Sequence, residues 1–260
     1  MQTHAAVALV AAGAAAGAMN ALAGGGTILT FPVLVFLGLP AKIANATSAV
    51  ALVPGAAASL AGYWGEVRSH RRWLRALFLP SLVGGAAGSL LMLATPEGLF
   101  ARLAPLLVLF ATSLFIYQNR RRLPRRGGSP PSETSTEPAL GRSPLLAGLA
   151  QLGIALYGGY FGAGIGILML VLLGALGLQN IHAMNGLKNF FGICINGVAA
   201  AVFVVGGSVS WAATGPLLVG AVAGGYLGAR AARFVGQARA RQGVVAIGLL
   251  VTLVLILQEI

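Results

Sequence analysis

Apolar and polar positions along this chain are sorted into long blocks rather than mixed at helical spacing. Apolar stretches fall near residues 4–22, 27–38, 43–63, 73–93 and 98–117, then near 143–158, 164–177, 183–206, 211–230 and 242–258. Between the two sets lies "QNRRRLPRRGGSPPSETSTEPALGRS", rich in Arg, Pro, Ser and Gly, the composition of a flexible linker. The blocks predict helices that are apolar on every side, the pattern of segments that cross a bilayer. A very hydrophobic soluble core would need polar faces at helical spacing, and these are missing. The N-terminal stretch has no basic n-region and reads as a retained first span rather than a signal peptide. The expected fold class is therefore an all-α polytopic membrane protein. Its parts are a first membrane repeat (1–117), a linker (118–142) and a second membrane repeat (143–260).

Five segments, a linker and five more invite a search for duplication. A shift of 139 lays Ile28–Leu39 on Ile167–Leu178, with identities at Ile28, Leu29, Leu34, Leu37, Gly38 and Leu39. The glycine clusters ahead of these stretches, "AGGGT" and "GAGIG", fall in register. A shift of 140 lays "GGAAG" (84–88) on "GGYLG" (224–228). Segments two and seven are short, with 12–14 residues where a full span needs about 20. Each reads as part of a broken or re-entrant pair, so the expected number of full spans lies between six and ten.

Charge adds orientation. The net charge of +12 comes from fifteen Arg and two Lys against five Glu and no Asp. The arginines gather in a few loops: Arg68–Arg75, Arg120–Arg126 and Arg230–Arg241. This is the positive-inside signature of membrane topology rather than a nucleic-acid surface. Attraction of these loops to anionic membrane lipids follows from the same charges. In the first half the loop between segments three and four is basic; in the second half the basic loop is the one between segments nine and ten. Corresponding loops then face opposite sides, the plan of two inverted repeats. The linker is expected in the cytoplasm and both chain ends outside it. The single Cys194 excludes an intrachain disulfide.

A helix broken within lipid exposes backbone polar groups, which is tolerated only where protein buries them or a wet cavity receives them. Gly24, Gly25, Gly26 and Thr27 mark one break, and Gly159, Gly162, Gly164 and Gly166 the other. An isolated glycine in a membrane helix most simply means close packing. Two clusters at equivalent places, each leading a short helix, point instead to a binding site in a transporter. Helix N-termini present N–H groups and positive partial charge, and glycine lets an anion approach them. The segments that follow carry polar side chains. Asn185, Lys188, Asn189, Gly192 and Asn196 share one helical face, and Lys188 lies well inside its segment, where a lysine is costly unless it faces a cavity, a partner or the interface. The first-half counterpart carries Asn45, Thr47 and Ser48, and Asn20 precedes the first glycines. All five glutamates fall in loops or at chain ends. A cavity of amides, hydroxyls and one lysine, without a carboxylate, suits a small anion.

The stretches "NALAGGGTILTFPVLVFLGLPAKIANATSAVALVPG" and "YGGYFGAGIGILMLVLLGALGLQNIHAMNGLKNFFGICINGVAAAVFV" resemble the sulfite exporter TauE/SafE family over nearly the whole chain outside the linker. The resemblance implies a bacterial inner-membrane carrier with duplicated halves that exports sulfite or an organosulfonate. The residues matching its motifs are Asn20, Gly24 to Thr27, Asn45, Thr47, Ser48, Gly159, Gly162, Gly164, Asn185, Lys188, Asn189 and Asn196.

The expected function is secondary transport of a small anion by alternating access. The alternatives are a transporter or channel for a cation or neutral solute, or a non-transporting membrane scaffold. An enzyme is not expected. The spans hold no paired carboxylates, no His/Cys metal spacing and no Ser–His–acid set, so neither a metal nor a cofactor is implied. "GAGIGIL" lacks the strand and the later acidic residue of a dinucleotide loop. Monomer and homodimer are equally compatible with the sequence.

Overall fold

The computed structural model describes residues 3–22, 24–61, 63–121 and 143–231. Segment ten, most of the linker, and Glu133, Glu137 and Glu259 lie outside the described residues. Ten helices make up the rest: α1 (Thr3–Leu22), α2 (Thr27–Phe36), α3 (Ala41–Ala61), α4 (Trp64–Ser69), α5 (Arg71–Ala94), α6 (Glu97–Arg121), α7 (Pro144–Tyr160), α8 (Ile165–Ala175), α9 (Ile181–Val205) and α10 (Trp211–Ala231). No strand occurs among the described residues. Among the described residues α1, α3, α5, α6 and α9 are long and apolar enough to cross a membrane, while α2 and α8 are short apolar helices. This is an all-helical, multi-pass membrane protein.

Two features depart from the predicted segments. Helix α6 continues to Arg121, past the expected edge at residue 117. The basic loop contains α4, whose six residues are too few to show an apolar period and bury only Val67.

Contacts at the helix ends sort the loops into two groups. At one end, the Lys42 ammonium donates to the carbonyls of Leu93 (2.8 Å) and Thr95 (2.7 Å), and the Lys42 amide donates to Glu97 Oε1 (3.2 Å). The Ser210 amide donates to Thr47 Oγ1 (3.0 Å) at the same end. At the other end, the rings of Tyr63 and His182 stack 6.3 Å apart, beside the arginines of α4 and α5. Helix α3 therefore runs from the first end to the second, and α9 runs from the second to the first.

The heaviest helix–helix seams are α1 on α10 and α5 on α7. Both are made by glycines that let backbones touch. A Cβ on Gly13 would meet Leu217 O at 2.2 Å, one on Gly17 would meet Ala221 O at 2.2 Å, and one on Gly224 would meet Ala14 O at 1.9 Å. On the other seam, a Cβ on Gly88 would meet Leu156 O at 2.0 Å, and one on Gly159 would meet Gly85 O at 2.2 Å. Lipid tails give apolar side chains no reason to leave them, so association in a bilayer relies on such close backbone packing. The double glycines at 84–85 and 224–225 are packing surfaces in these seams.

Residue numbers rise together across both seams, so α1 runs parallel to α10 and α7 parallel to α5. Helix α1 enters from the end that holds Ser210, and α2 returns to it. Helix α7 enters from the basic end, and α8 returns there. The two helix–break–helix hairpins thus open to opposite ends.

Gly88→Ala and Gly224→Ala should each lower stability by about 2 kcal/mol or more, the scale of overpacking without room to relax. Gly215→Ala, at an exposed helical glycine whose Cβ meets nothing within 4 Å, should not. Thermal unfolding of the three purified variants measures the difference.

Candidate functional site

The breaks are backbone conformations that glycine alone adopts cheaply. Gly24 and Gly25 have φ of 82° and 99°, and Gly162 and Gly164 both have φ of 79°. Each break closes part of its own hydrogen bonding. In the first, the Gly24 amide donates to Met19 O (3.1 Å), and the Gly26 amide donates to the Asn20 side-chain oxygen (2.7 Å). In the second, the Gly162 amide reaches Tyr157 O (3.4 Å), and the Tyr157 hydroxyl donates to Ala163 O (2.7 Å). The short helices α2 and α8 end alike. Gly38 (φ 87°) and Gly177 (φ 89°) turn the chain, and the amides of Leu39 and Leu178 donate back to Leu34 O and Leu173 O, both at 3.1 Å. These are paired Schellman caps.

The two breaks meet in the interior. A Cβ on Gly24 would lie 2.7 Å from Gly166 Cα, so the first break rests on the start of α8. A cavity of about 50 Å³ opens beside this crossing. Asn20, Gly24, Gly25 and Thr27 line it from the first break, and Gly162, Ile165, Gly166 and Met169 from the second. Helix α3 contributes Ala49, Leu52 and Ala56; α9 contributes Lys188, Asn189, Gly192 and Asn196. The two helix walls are related by a constant shift of 140: Ala49 with Asn189, Leu52 with Gly192, Ala56 with Asn196. The wall from α3 is apolar, and the wall from α9 is polar.

Lys188 is 3% exposed, and its ammonium donates to Asn20 O (3.2 Å). That carbonyl belongs to the last turn of α1, where helix carbonyls lack intrahelical donors and the dipole is negative. Asn20 thus ties the site together, with its backbone oxygen on Lys188 and its side-chain oxygen on Gly26. Snorkelling to the interface does not describe this lysine. Asn189 is 5% exposed, and its Nδ2 has no hydrogen-bond partner. A buried donor left unmade costs roughly 1–3 kcal/mol. Among the described residues no carboxylate lines the cavity.

Ten of the residues singled out from the sequence meet here: Asn20, Gly24, Gly25, Thr27, Gly162, Gly166, Lys188, Asn189, Gly192 and Asn196. The other seven do not line the cavity. Gly26 begins α2 and is held by Asn20. Gly159 packs on Gly85, and Gly164 on Ala111. Asn45 donates to Tyr160 O (3.1 Å), Thr47 accepts from the Ser210 amide, and the hydroxyls of Ser48 and Thr30 bond each other. Asn185 is buried near the start of α9, its Oδ1 without a partner. The residues that sequence reasoning left out are Ala49, Leu52, Ala56, Ile165 and Met169. The shift of 140 that relates Asn45 to Asn185 would have found the α3 wall, because it carries the polar stripe of α9 onto Ala49, Leu52 and Ala56.

No solved structure matches the chain. A curated relative from Haemophilus influenzae, named "Probable membrane transporter protein", is 26% identical over 249 residues, covering 94% of this chain and 91% of its own. Residues 9–255 match the family described as "Sulfite exporter TauE/SafE", which takes in both breaks and both cavity walls. The chain belongs to the sulfite exporter TauE/SafE family, a family of membrane transporters.

Proposed function

We propose that this protein is a secondary transporter, not an enzyme, that exports a small anion, most simply sulfite or another sulfur oxyanion or organosulfonate. The observation that carries the reading is a cavity lined by Lys188 and the amide side chains of Asn20, Asn189 and Asn196 and, among the described residues, by no carboxylate. A neutral amide donor and a cation together select an acceptor of negative charge. The amides at the starts of α2 and α8 add positive partial charge from two directions. Family membership supplies the sulfur chemistry.

The two halves act as inverted repeats, and alternating access comes from one rocking against the other. The reciprocal seams, the hairpins opening to opposite ends and the matched caps of α2 and α8 support this plan. An anion leaving a negative-inside cell runs downhill by about 2.3 kcal/mol per charge per 100 mV, so the membrane potential alone can drive export. The membrane is the bacterial inner membrane. The basic end that holds α4 is cytoplasmic, and the linker 118–142 lies on that side.

Sulfite or a simple sulfonate should raise the melting temperature of the purified protein, whereas chloride at equal ionic strength should not. Asn189→Ala should weaken that response about tenfold or more, since a hydrogen bond to a charged partner is worth about 1.5–3 kcal/mol. The unliganded variant should melt no lower than the parent, because the substitution removes a buried orphan. Lys188→Gln should abolish the response. Absence of any anion-dependent shift in the parent would sink the anion reading.

A reporter that is active only outside the cytoplasm, inserted at residue 130, should be silent, and the same reporter placed after Gly207 should be active. The reverse pattern would place the basic end outside.

A further inference from the structure

Most buried glycines in this protein have a visible reason to lack a side chain. In the seams a Cβ would strike the backbone of a neighbouring helix, as at Gly88 and Gly224. In the cavity, Gly24, Gly25 and Gly162 have positive φ, and Gly166 sits under Gly24. Gly192 has neither reason. It lies in the middle of α9 with ordinary helical φ, and a Cβ built there meets nothing within 4 Å. A glycine in a helix interior weakens the helix relative to alanine. Gly192 is half-buried and is one of the residues that line the cavity, so the space it leaves adjoins the cavity. The repeat sharpens the contrast, because the equivalent position on α3 is Leu52, a buried leucine on the facing wall.

We infer that Gly192 is the size-determining residue of the transport site: its missing side chain makes the room that the cargo's non-coordinating part occupies. This rests on the anion reading for the identity of the cargo. The polar groups of α9 on either side, Asn189 one turn before and Asn196 one turn after, hold the charged end. Leu52 closes the facing wall, so clearance exists on the α9 side only. The cavity is small, about 50 Å³, and side chains larger than a methyl group at residue 192 would take up progressively more of the space beside it. The site therefore admits compact anions, and the upper limit on their bulk is set at this one position.

The control is Gly197, on the same helix. A Cβ there also meets nothing within 4 Å, but the residue does not line the cavity. Gly192→Ala and Gly197→Ala should both melt at the parent's temperature or a few degrees above it, as expected for helical Gly→Ala without a clash. Thermal shifts with sulfite, methanesulfonate and ethanesulfonate then separate them. Gly197→Ala should keep the parent's response to all three. Gly192→Ala should lose response to the bulkier sulfonates first, by tenfold or more in apparent affinity, and Gly192→Leu should lose all three while remaining folded. An unchanged order of response in Gly192→Ala, or outright unfolding of that variant, would overturn the inference.

A second readout is independent of the cargo. In a Cys194→Ser background, Gly192→Cys should react with a small water-soluble thiol reagent faster than Gly197→Cys. If the parent shows no anion response yet Gly192→Cys reacts faster, the cavity at Gly192 stands and the anion reading falls. If Gly192→Cys reacts no faster than Gly197→Cys, the clearance is not there and the size role is wrong.

Discussion

A backbone N–H or C=O inside a bilayer has no water to turn to, and everything unusual in this protein follows from how it meets that constraint at two interrupted helices. Each interruption frees several amides and carbonyls, and each orphan costs roughly 1–3 kcal/mol if left unmade. The chain answers locally first. Asn20 lends a side-chain oxygen to Gly26 at one break, and Tyr157 lends its hydroxyl to Ala163 O at the other. It then answers across the fold, with Lys188 from the far half closing on the carbonyl of Asn20. Crossing the breaks over one another, Gly24 on Gly166, lets each shield the other from lipid. What is left over at the crossing is a small cavity bordered by helix starts. The site is thus the residue of a solvation problem that was solved nearly, but deliberately not wholly, within the chain.

The same constraint explains the seams. A broken helix cannot hold its place by its own ladder of hydrogen bonds, so α1 and α7, which lead into the breaks, are clamped along their length. Gly13 and Gly17 seat α1 on α10, and Gly84 and Gly88 bring α5 onto α7. The clamps exchange partners between halves: the leading helix of each half lies on the other half's helix at the equivalent place.

Much of this was legible in the sequence because it was written in blocks. Apolar runs locate helices well when every side faces lipid or packed protein, and nine of the ten expected segments have helices over nearly the same residues. The glycine clusters foretold the breaks because φ above zero leaves little other choice. What the sequence could not say is which face of a polar helix would be covered. Asn45, Thr47 and Ser48 looked like a wall of the site, yet each bonds a neighbour outside it, the Asn45 Nδ2 to Tyr160 O, Thr47 to the Ser210 amide and Ser48 to Thr30, while Asn45 Oδ1 stays buried without a partner. Asn185 shares a face with Lys188, but Tyr63 and Val67, the latter on the unforeseen α4, lie against Gly186 beside it. Periodicity fixes a direction around a helix axis; only packing decides what lies in that direction.

Positions of the two halves related by the shift of 140 frame this site, and the side chains at those positions differ in chemistry. At equivalent places on the two antiparallel helices stand Asn45 and Asn185, Ser48 and Lys188, Ala49 and Asn189, Leu52 and Gly192, Ala56 and Asn196. A strictly symmetric cavity would have held two lysines or none. With two, the charges would repel each other in low dielectric when the site is empty and overbind a small anion when it is full. With none, nothing would offset the cost of bringing an anion into the membrane. One lysine, held in the absence of cargo by the carbonyl of Asn20, avoids both extremes. The empty site keeps its cation partnered, with the Asn20 carbonyl as one of the groups that hold it. A carrier has to release what it binds, and under the anion reading proposed above a single tethered charge opposite an apolar wall is an arrangement from which the cargo can leave.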